Sequence, residues 1–144
     1  MGPIKANVAI DGFAGSGKTT VAVELARQLQ LVYLDTGLMY RAVAVQCLHS
    51  QVDPEQSGPM EALLKTLDLR VEVNSSQGPP TCRMILAGVD VTDSLHDPQV
   101  TRLVPAVASV SAVRRELVAR QQAFARRGGV VMVGRDIASV VLPD

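Results

Sequence analysis

Residues Gly12 to Thr19 read GFAGSGKT, with Gly12, Gly15 and Gly17 close together and Lys18-Thr19 directly after. This fits G-x-x-x-x-G-K-[ST] without a mismatch, and it constrains the fold more than any other stretch. The glycines permit positive φ and let the backbone approach an anion closely. Successive N–H groups then face one concavity, a nest for phosphate oxygens. Such a loop needs a strand before it and a helix after it, because the helix N-terminus adds unpaired amides and a favourable dipole. Both are legible. Ala6 to Ile10 is a short apolar run of the kind buried on both faces of a parallel sheet. From Lys18, Val21, Leu25 and Leu29 recur every four positions and Ala22 and Ala26 widen the stripe, so a helix with that stripe inward is expected. A chance match in a chain of this length arises roughly once in a few hundred sequences at average residue usage. The loop therefore predicts binding of a nucleoside triphosphate through Gly12, Phe13, Ala14, Gly15, Ser16, Gly17, Lys18, Thr19 and Thr20. Lys18 supplies a cation for the outer phosphates and Thr19 a hydroxyl for Mg²⁺.

The rest of the chain reads as an elaboration of that unit. Leu31 to Asp35 is a second buried strand, and a helix is expected from Leu38 to about Leu48. Strand, helix, strand, helix argues for a doubly wound parallel sheet in three layers, α/β/α. A short helix is expected at "MEALLKTL", with Ser57-Gly58-Pro59 as its start. Leu69 to Thr92 alternates apolar and polar residues between turn signals and reads as a small antiparallel meander. A helix from about Ser111 to Arg127 carries Val110, Val113, Leu117 and Phe124 on one face and stops at Gly128-Gly129. Val130 to Gly134 is a third parallel strand. The expected organisation is a core part at 1–58, an insertion at 59–110 and a return to the core at 111–144. A doubly wound fold places the strand feeding the phosphate loop in mid-sheet. If the other two parallel strands lie on one side of it, that strand becomes an apolar edge, an aggregation liability. The domain is therefore expected to be incomplete, with a C-terminal continuation covering the edge; a compact, monodisperse monomer of these residues on gel filtration would count against this.

Composition narrows the partners. The 144 residues are 47 % hydrophobic and 19 % charged with a formal net charge of zero, which is globular and signals no basic groove for nucleic acid. Aromatics make up 3 %, too few for a base-stacking platform. There is no apolar run near the roughly 20 residues that span a bilayer, and the N-terminus lacks a secretory h-region. Cys47 and Cys82 have no metal-ligand spacing and read as buried free thiols in a reducing cytoplasm. His49 and His96 lie in polar surroundings and read as solvated.

Two further stretches fall at the carboxyl ends of predicted strands, where open α/β sheets bind ligands. In "DTGLMYRAVA", Asp35 ends a strand, Thr36 can cap the next helix or donate to a phosphate, and Arg41 lies one turn into that helix. Arginine suits a bidentate grip on phosphate, although Arg41 as a solvated residue and Asp35 as a plain cap remain open at this point. In "GRDIASVVLPD", Gly134 ends the third strand and Arg135 and Asp136 follow at the same edge, which reads as site chemistry rather than a surface ion pair. A GTPase switch would need N-K-x-D and D-x-x-G elements, and neither occurs.

With these stretches in hand, the sequence resembles the N-terminal two-thirds of bacterial cytidylate kinase. The resemblance is carried by "AIDGFAGSGKTT", "VYLDTGLMYRAVA", "GVDVT", "SAVRRELVARQQAFA" and "GRDIASVVLPD", in order and spacing across all 144 residues. It implies a P-loop fold with an enlarged nucleoside-monophosphate-binding insertion and a reaction in which ATP·Mg²⁺ and CMP or dCMP give ADP and CDP or dCDP. It implies that Asp35, Thr36, Arg41, Arg114, Arg135 and Asp136 bind the acceptor, with Lys18, Arg41 and Arg135 acting on the moving phosphoryl group. Full-length members are expected to be cytoplasmic monomers that bind small nucleotides, with neither nucleic acid nor membrane as partner. Two departures bear on base selectivity. Pro105 stands where the family usually has a serine that contacts the base, and Leu95-His96-Asp97 stands near its usual Ile-Arg-Thr. The family's lid arginines fall in the C-terminal third, outside the matching region. An inactive nucleotide-binding fragment and another small-molecule P-loop kinase are the alternative readings.

Overall fold

The computed structural model describes residues 6–12, 18–76 and 80–143. The predicted phosphate-loop residues Phe13, Ala14, Gly15, Ser16 and Gly17 lie outside the described residues, as do the side chains of Lys18 and Thr19. The described residues form two compact units. One is drawn from Met1–Gly37, Val73–Cys82 and Val118–Asp144, the other from Leu38–Glu72 and Arg83–Leu117.

The first unit is built on a parallel sheet. Strands β1 (Val8–Asp11) and β2 (Val32–Asp35) both pair with β6 (Val130–Gly134), giving the order β1-β6-β2. Both other strands thus lie on one side of β1, and β1 is an edge strand among the described residues. Its Val8, Ala9 and Ile10 are half-buried, whereas Val130 to Val133 of β6 are fully buried. The contrast follows from hydrogen bonding: β6 is paired on both sides and β1 on one.

Helix α1 (Lys18–Leu29) packs on this sheet through only part of the stripe its periodicity suggests. Ala22 and Ala26 are fully buried and join Leu31, Val131 and Val133 in one cluster, with Val8, Ile10 and Tyr33 against it. Val21 and Leu29 are exposed. The expected inward stripe is therefore corrected in part: Ala22 and Ala26 turn inward as expected and Leu25 is half-buried, whereas Val21 and Leu29 lie off the buried face. Small alanine side chains let the helix axis approach the sheet, and the larger residues are left on the flank. Val131 and Val133 face α1; by the two-residue period of a strand, Val130 and Met132 bury the opposite face. A π-helical turn, Ile137–Val141, packs against β1 and β6 and buries Ile137 and Val141.

The second unit holds most of α2 (Gly37–Ser50) together with α3 (Ser57–Lys65) and α4 (Pro98–Ala108). It also takes the larger part of a small sheet, β3 (Leu69–Asn74), β4 (Thr81–Leu86) and β5 (Val89–Asp90), in that order. The predicted meander is present. Ala87 and Gly88 both have positive φ, 50° and 80°, so β4 and β5 are joined by a two-residue primed turn whose twist matches the strands. The core of this unit is carried by Met39, Val43, Met60, Met84, Leu95, Val107, Val113 and Leu117, all nearly inaccessible. Helix α4 has no counterpart in the sequence reading. Pro98 stands in its first turn, where a missing N–H costs nothing, and Val100 and Val107 are buried at helical spacing. Pro105 lies inside the helix near its C-terminal end, where its missing N–H costs one helical bond, the one to the Thr101 carbonyl. The last helix, α5 (Ser111–Ala125), has residues in both units.

Candidate active site

The three parallel strands end together. Asp11 is level with Gly134, and Asp35 with Val133, so β1, β6 and β2 deliver Asp11-Gly12, Gly134-Arg135-Asp136 and Asp35-Thr36 to one carboxyl edge of the sheet. Gly12 opens the phosphate loop there, and Lys18 begins α1 on the far side of it.

Each of these segments is held by bonds of its own. The Asp35 carboxylate accepts the Gly37 N–H at 2.9 Å and so caps α2. Capping therefore falls to Asp35 rather than Thr36. Thr36 is buried, and both its hydroxyl and its N–H donate to the Val133 carbonyl at 2.9 Å. This ties the end of β2 to β6 directly beneath Gly134. A Cβ at Gly134 would lie 2.1 Å from Thr36 Oγ1 and 3.2 Å from Ile137 Cδ1, which explains the glycine at that position. Arg135 and Asp136 follow, both exposed. Asp136 has φ 58° and ψ 28°, the left-handed region that non-glycine residues enter at a cost. Immediately after it, the Ile137 and Ala138 amides donate to the Asp11 carboxylate at 2.5 and 3.2 Å.

The other predicted residues belong to the second unit. Arg41 is half-buried on α2, and its Nη1 donates to the Leu95 carbonyl and to Thr101 Oγ1, both at 2.9 Å. Those bonds fix the guanidinium at one end and anchor it to the segment leading into α4. Arg114 is exposed on α5, beside the buried Val113. Pro105 is exposed on α4. Sequence reasoning missed Asp11, Leu95 and Thr101. An aspartate ending the strand before a glycine loop was a visible signal; the Leu95 carbonyl and the Thr101 hydroxyl carried none, because their partner is 54 and 60 residues away.

Among the described residues no group of three or more His, Cys, Asp or Glu could hold a metal ion. Asp11, at the end of β1, is engaged by two backbone amides. Cys47 and Cys82 are buried free thiols.

The family model for cytidylate kinase matches residues 8–144. The chain belongs to the cytidylate kinase family. It is 44 % identical over 138 residues to the cytidylate kinase of Pelotomaculum thermopropionicum, a match covering 96 % of this chain and 60 % of that protein. It is 43 % identical over 140 residues to the cytidylate kinase of Exiguobacterium sibiricum, covering 97 % and 61 %. A bifunctional pantoate ligase/cytidylate kinase of a Synechococcus species is 43 % identical over 142 residues, covering 99 % of this chain and 26 % of that protein. The chain thus spans about 60 % of the length of the single-function relatives it matches. For this cytidylate kinase family member, the α/β layout with a parallel sheet and a small antiparallel sheet is the expected fold. No helix among the described residues is long and apolar enough to cross a membrane.

Proposed function

We propose that this chain carries the phosphate-binding and acceptor-binding parts of an enzyme that transfers the γ-phosphoryl group of ATP to CMP or dCMP. The observation that carries this reading is the shared carboxyl edge. The strand feeding the phosphate loop ends level with Gly134-Arg135-Asp136, and β2 ends beside them with Asp35-Thr36. Convergence of these segments on one sheet edge supports phosphoryl transfer, because positioning and charge stabilisation supply most of its catalysis.

In this reading residues 12–20 hold the ATP phosphates. Lys18 neutralises charge on the transferring group, and Thr19 takes part in holding Mg²⁺, which withdraws charge from the phosphates when bound. An oxygen of the acceptor phosphate attacks the γ-phosphorus, the bond to the β–γ bridging oxygen breaks, and ADP leaves with that electron pair. Arg41 and Arg135 bind the acceptor phosphate, Arg114 and Asp136 reach the pyrimidine base, and Asp35 and Thr36 shape the edge on which the acceptor sits. The insertion at 59–110 is the monophosphate-binding part. Pro105 offers no hydroxyl, so base recognition rests on Arg114 and Asp136. The buried free thiols support a reducing, cytoplasmic setting, and the longer protein is proposed to act as a monomer on small nucleotides.

A second reading is favoured by the share of the relatives' length that the chain spans: these 144 residues bind nucleotide without turning it over. A coupled ADP-release assay with CMP, dCMP and UMP separates the two. The enzyme reading expects turnover with CMP or dCMP that falls at least ~10²-fold in Lys18→Ala, the scale of losing one preorganised charge stabiliser. Equal turnover in that variant would remove Lys18 from the reaction, and nucleotide binding without ADP release would establish the binder.

A further inference from the structure

Asp11 stands outside every role assigned above, yet it is bonded across 126 and 127 residues to the segment that carries Arg135 and Asp136. Its two carboxylate oxygens take separate partners. Oδ1 accepts the Ile137 N–H at 2.5 Å and Oδ2 the Ala138 N–H at 3.2 Å. These amides open the π-helical turn Ile137–Val141, where N–H groups have no partner within the turn itself. The residue before them, Asp136, is held in the left-handed region, and its own carbonyl accepts the Val140 N–H at 2.9 Å. Such a conformation persists only where the surroundings over-determine it. Gly134 is held on one side by its pairing with Asp11 at the end of β6, and Ile137 on the other by the Asp11 carboxylate. Between those two fixed points the chain has to turn sharply at Arg135 and Asp136, and both side chains remain exposed at the sheet edge.

We propose that Asp11 is a positioning residue for acceptor binding: its carboxylate holds the Gly134–Ala138 turn, so that Arg135 and Asp136 are set by the same strand that feeds the phosphate loop. This rests on the acceptor-binding reading of Arg135 and Asp136 given above. Two consequences follow from the chemistry. A carboxylate one residue before a phosphate nest would repel a triphosphate if it turned toward it, and here two amides hold it on the Gly134–Ala138 turn. An asparagine keeps the size but offers one acceptor oxygen, and its NH₂ meets an amide N–H, so Asp11→Asn releases one of the two bonds while Asp11→Ala releases both.

The test uses the 144-residue chain, titrated separately with CMP and with ATP·Mg²⁺ by calorimetry, alongside amide hydrogen exchange without ligand. The expected result for Asp11→Ala is CMP binding weakened roughly tenfold or more, the scale of a lost hydrogen bond to a charged group. Asp11→Asn falls between it and the wild type, and ATP affinity stays within about threefold in both. In exchange, Asp11→Asn exposes Ala138, and Asp11→Ala exposes Ile137 and Ala138. The inference is overturned if both amides stay protected in Asp11→Ala, or if CMP and ATP affinities fall by the same factor, which is the signature of a merely structural carboxylate. Should the wild-type chain bind ATP but no CMP, the acceptor reading itself fails, and the proposal for Asp11 falls with it. Asp11→Asn keeps the test readable if Asp11→Ala does not fold.

Discussion

At Gly134 the side chain that is absent matters as much as those present. A methyl group there would overlap the Thr36 hydroxyl at 2.1 Å, and the hydroxyl cannot turn away without breaking its bond to the Val133 carbonyl. Gly134→Ala is therefore expected to destabilise the protein by about 1–3 kcal/mol, the usual penalty of overpacking. A urea denaturation midpoint equal to that of the wild type would show that the edge is looser than these contacts imply. Asp35, Thr36, Arg135 and Asp136 were readable from sequence as residues at or just past strand ends, and the strands do end there. What each does was less readable. Thr36 offers a hydroxyl that could cap a helix, bind a phosphate or bond to the backbone, and only the register of β2 on β6 brings the Val133 carbonyl within its reach.

At the scale of the element, periodicity located most of the helices and strands but drew the buried stripe of α1 too wide. Four-residue spacing of Val21, Leu25 and Leu29 and of Ala22 and Ala26 defines two adjacent stripes, and hydrophobicity alone favours the larger residues. Close approach of helix to sheet favours the smaller ones, and it wins here because Val131 and Val133 already fill the space. Helix α4 escaped notice for a related reason. Local rules penalise Pro105, while burial of Val100 and Val107 offsets that cost. Helix endings show local strain of another kind. Gln30 and Gln51 adopt φ of 56° and 54° just past α1 and α2, and the following amides reach back to Ala26 and Cys47 carbonyls at 2.9 Å. Glycine is the usual residue at such an ending. Gln51→Gly is expected to stabilise the protein by about 0.5–1 kcal/mol, the left-handed penalty less the added freedom of the unfolded chain. Thermal unfolding followed by circular dichroism would register this as a raised midpoint; a lowered midpoint would mean that the glutamine side chain contributes more than its backbone costs.

Across the whole molecule, each compact unit encloses one thiol. Burial pushes the Cys47 thiol up to about 11, with Asp53 adding to the rise, and it pushes Cys82 up to about 12 against a small opposing pull from Arg127. In the unfolded chain both thiols ionise near 8.5. Below that pH the two states hold the same protons and the thiols favour the fold fully. As pH rises past it, the unfolded state loses protons that the folded state retains, so stability falls progressively until about pH 11 to 12. The wild type is expected to lose more stability between pH 8 and pH 10.5 than a Cys47→Ala/Cys82→Ala variant, measured as the shift in urea midpoint. Parallel loss in both proteins would assign the alkaline sensitivity elsewhere. In the folded protein near pH 7 both thiols should resist alkylation and react only on unfolding.

By itself the sequence determined the phosphate loop, the strand-helix order around it, the inserted meander and the identity of the residues at the sheet edge. All of these are written in short spans, where glycine placement and the periods of strand and helix act directly. The tertiary structure decided which face of α1 is buried and why Gly134 must be glycine. It also decided that Arg41 is anchored on Leu95 and Thr101, and that Asp11 grips the turn bearing Arg135 and Asp136. Those outcomes depend on groups separated by 54 to 126 residues of chain, or on the space left between packed elements. Neither has a local signature, because the partner of a buried hydrogen bond is chosen by strand register and packing rather than by neighbouring residues.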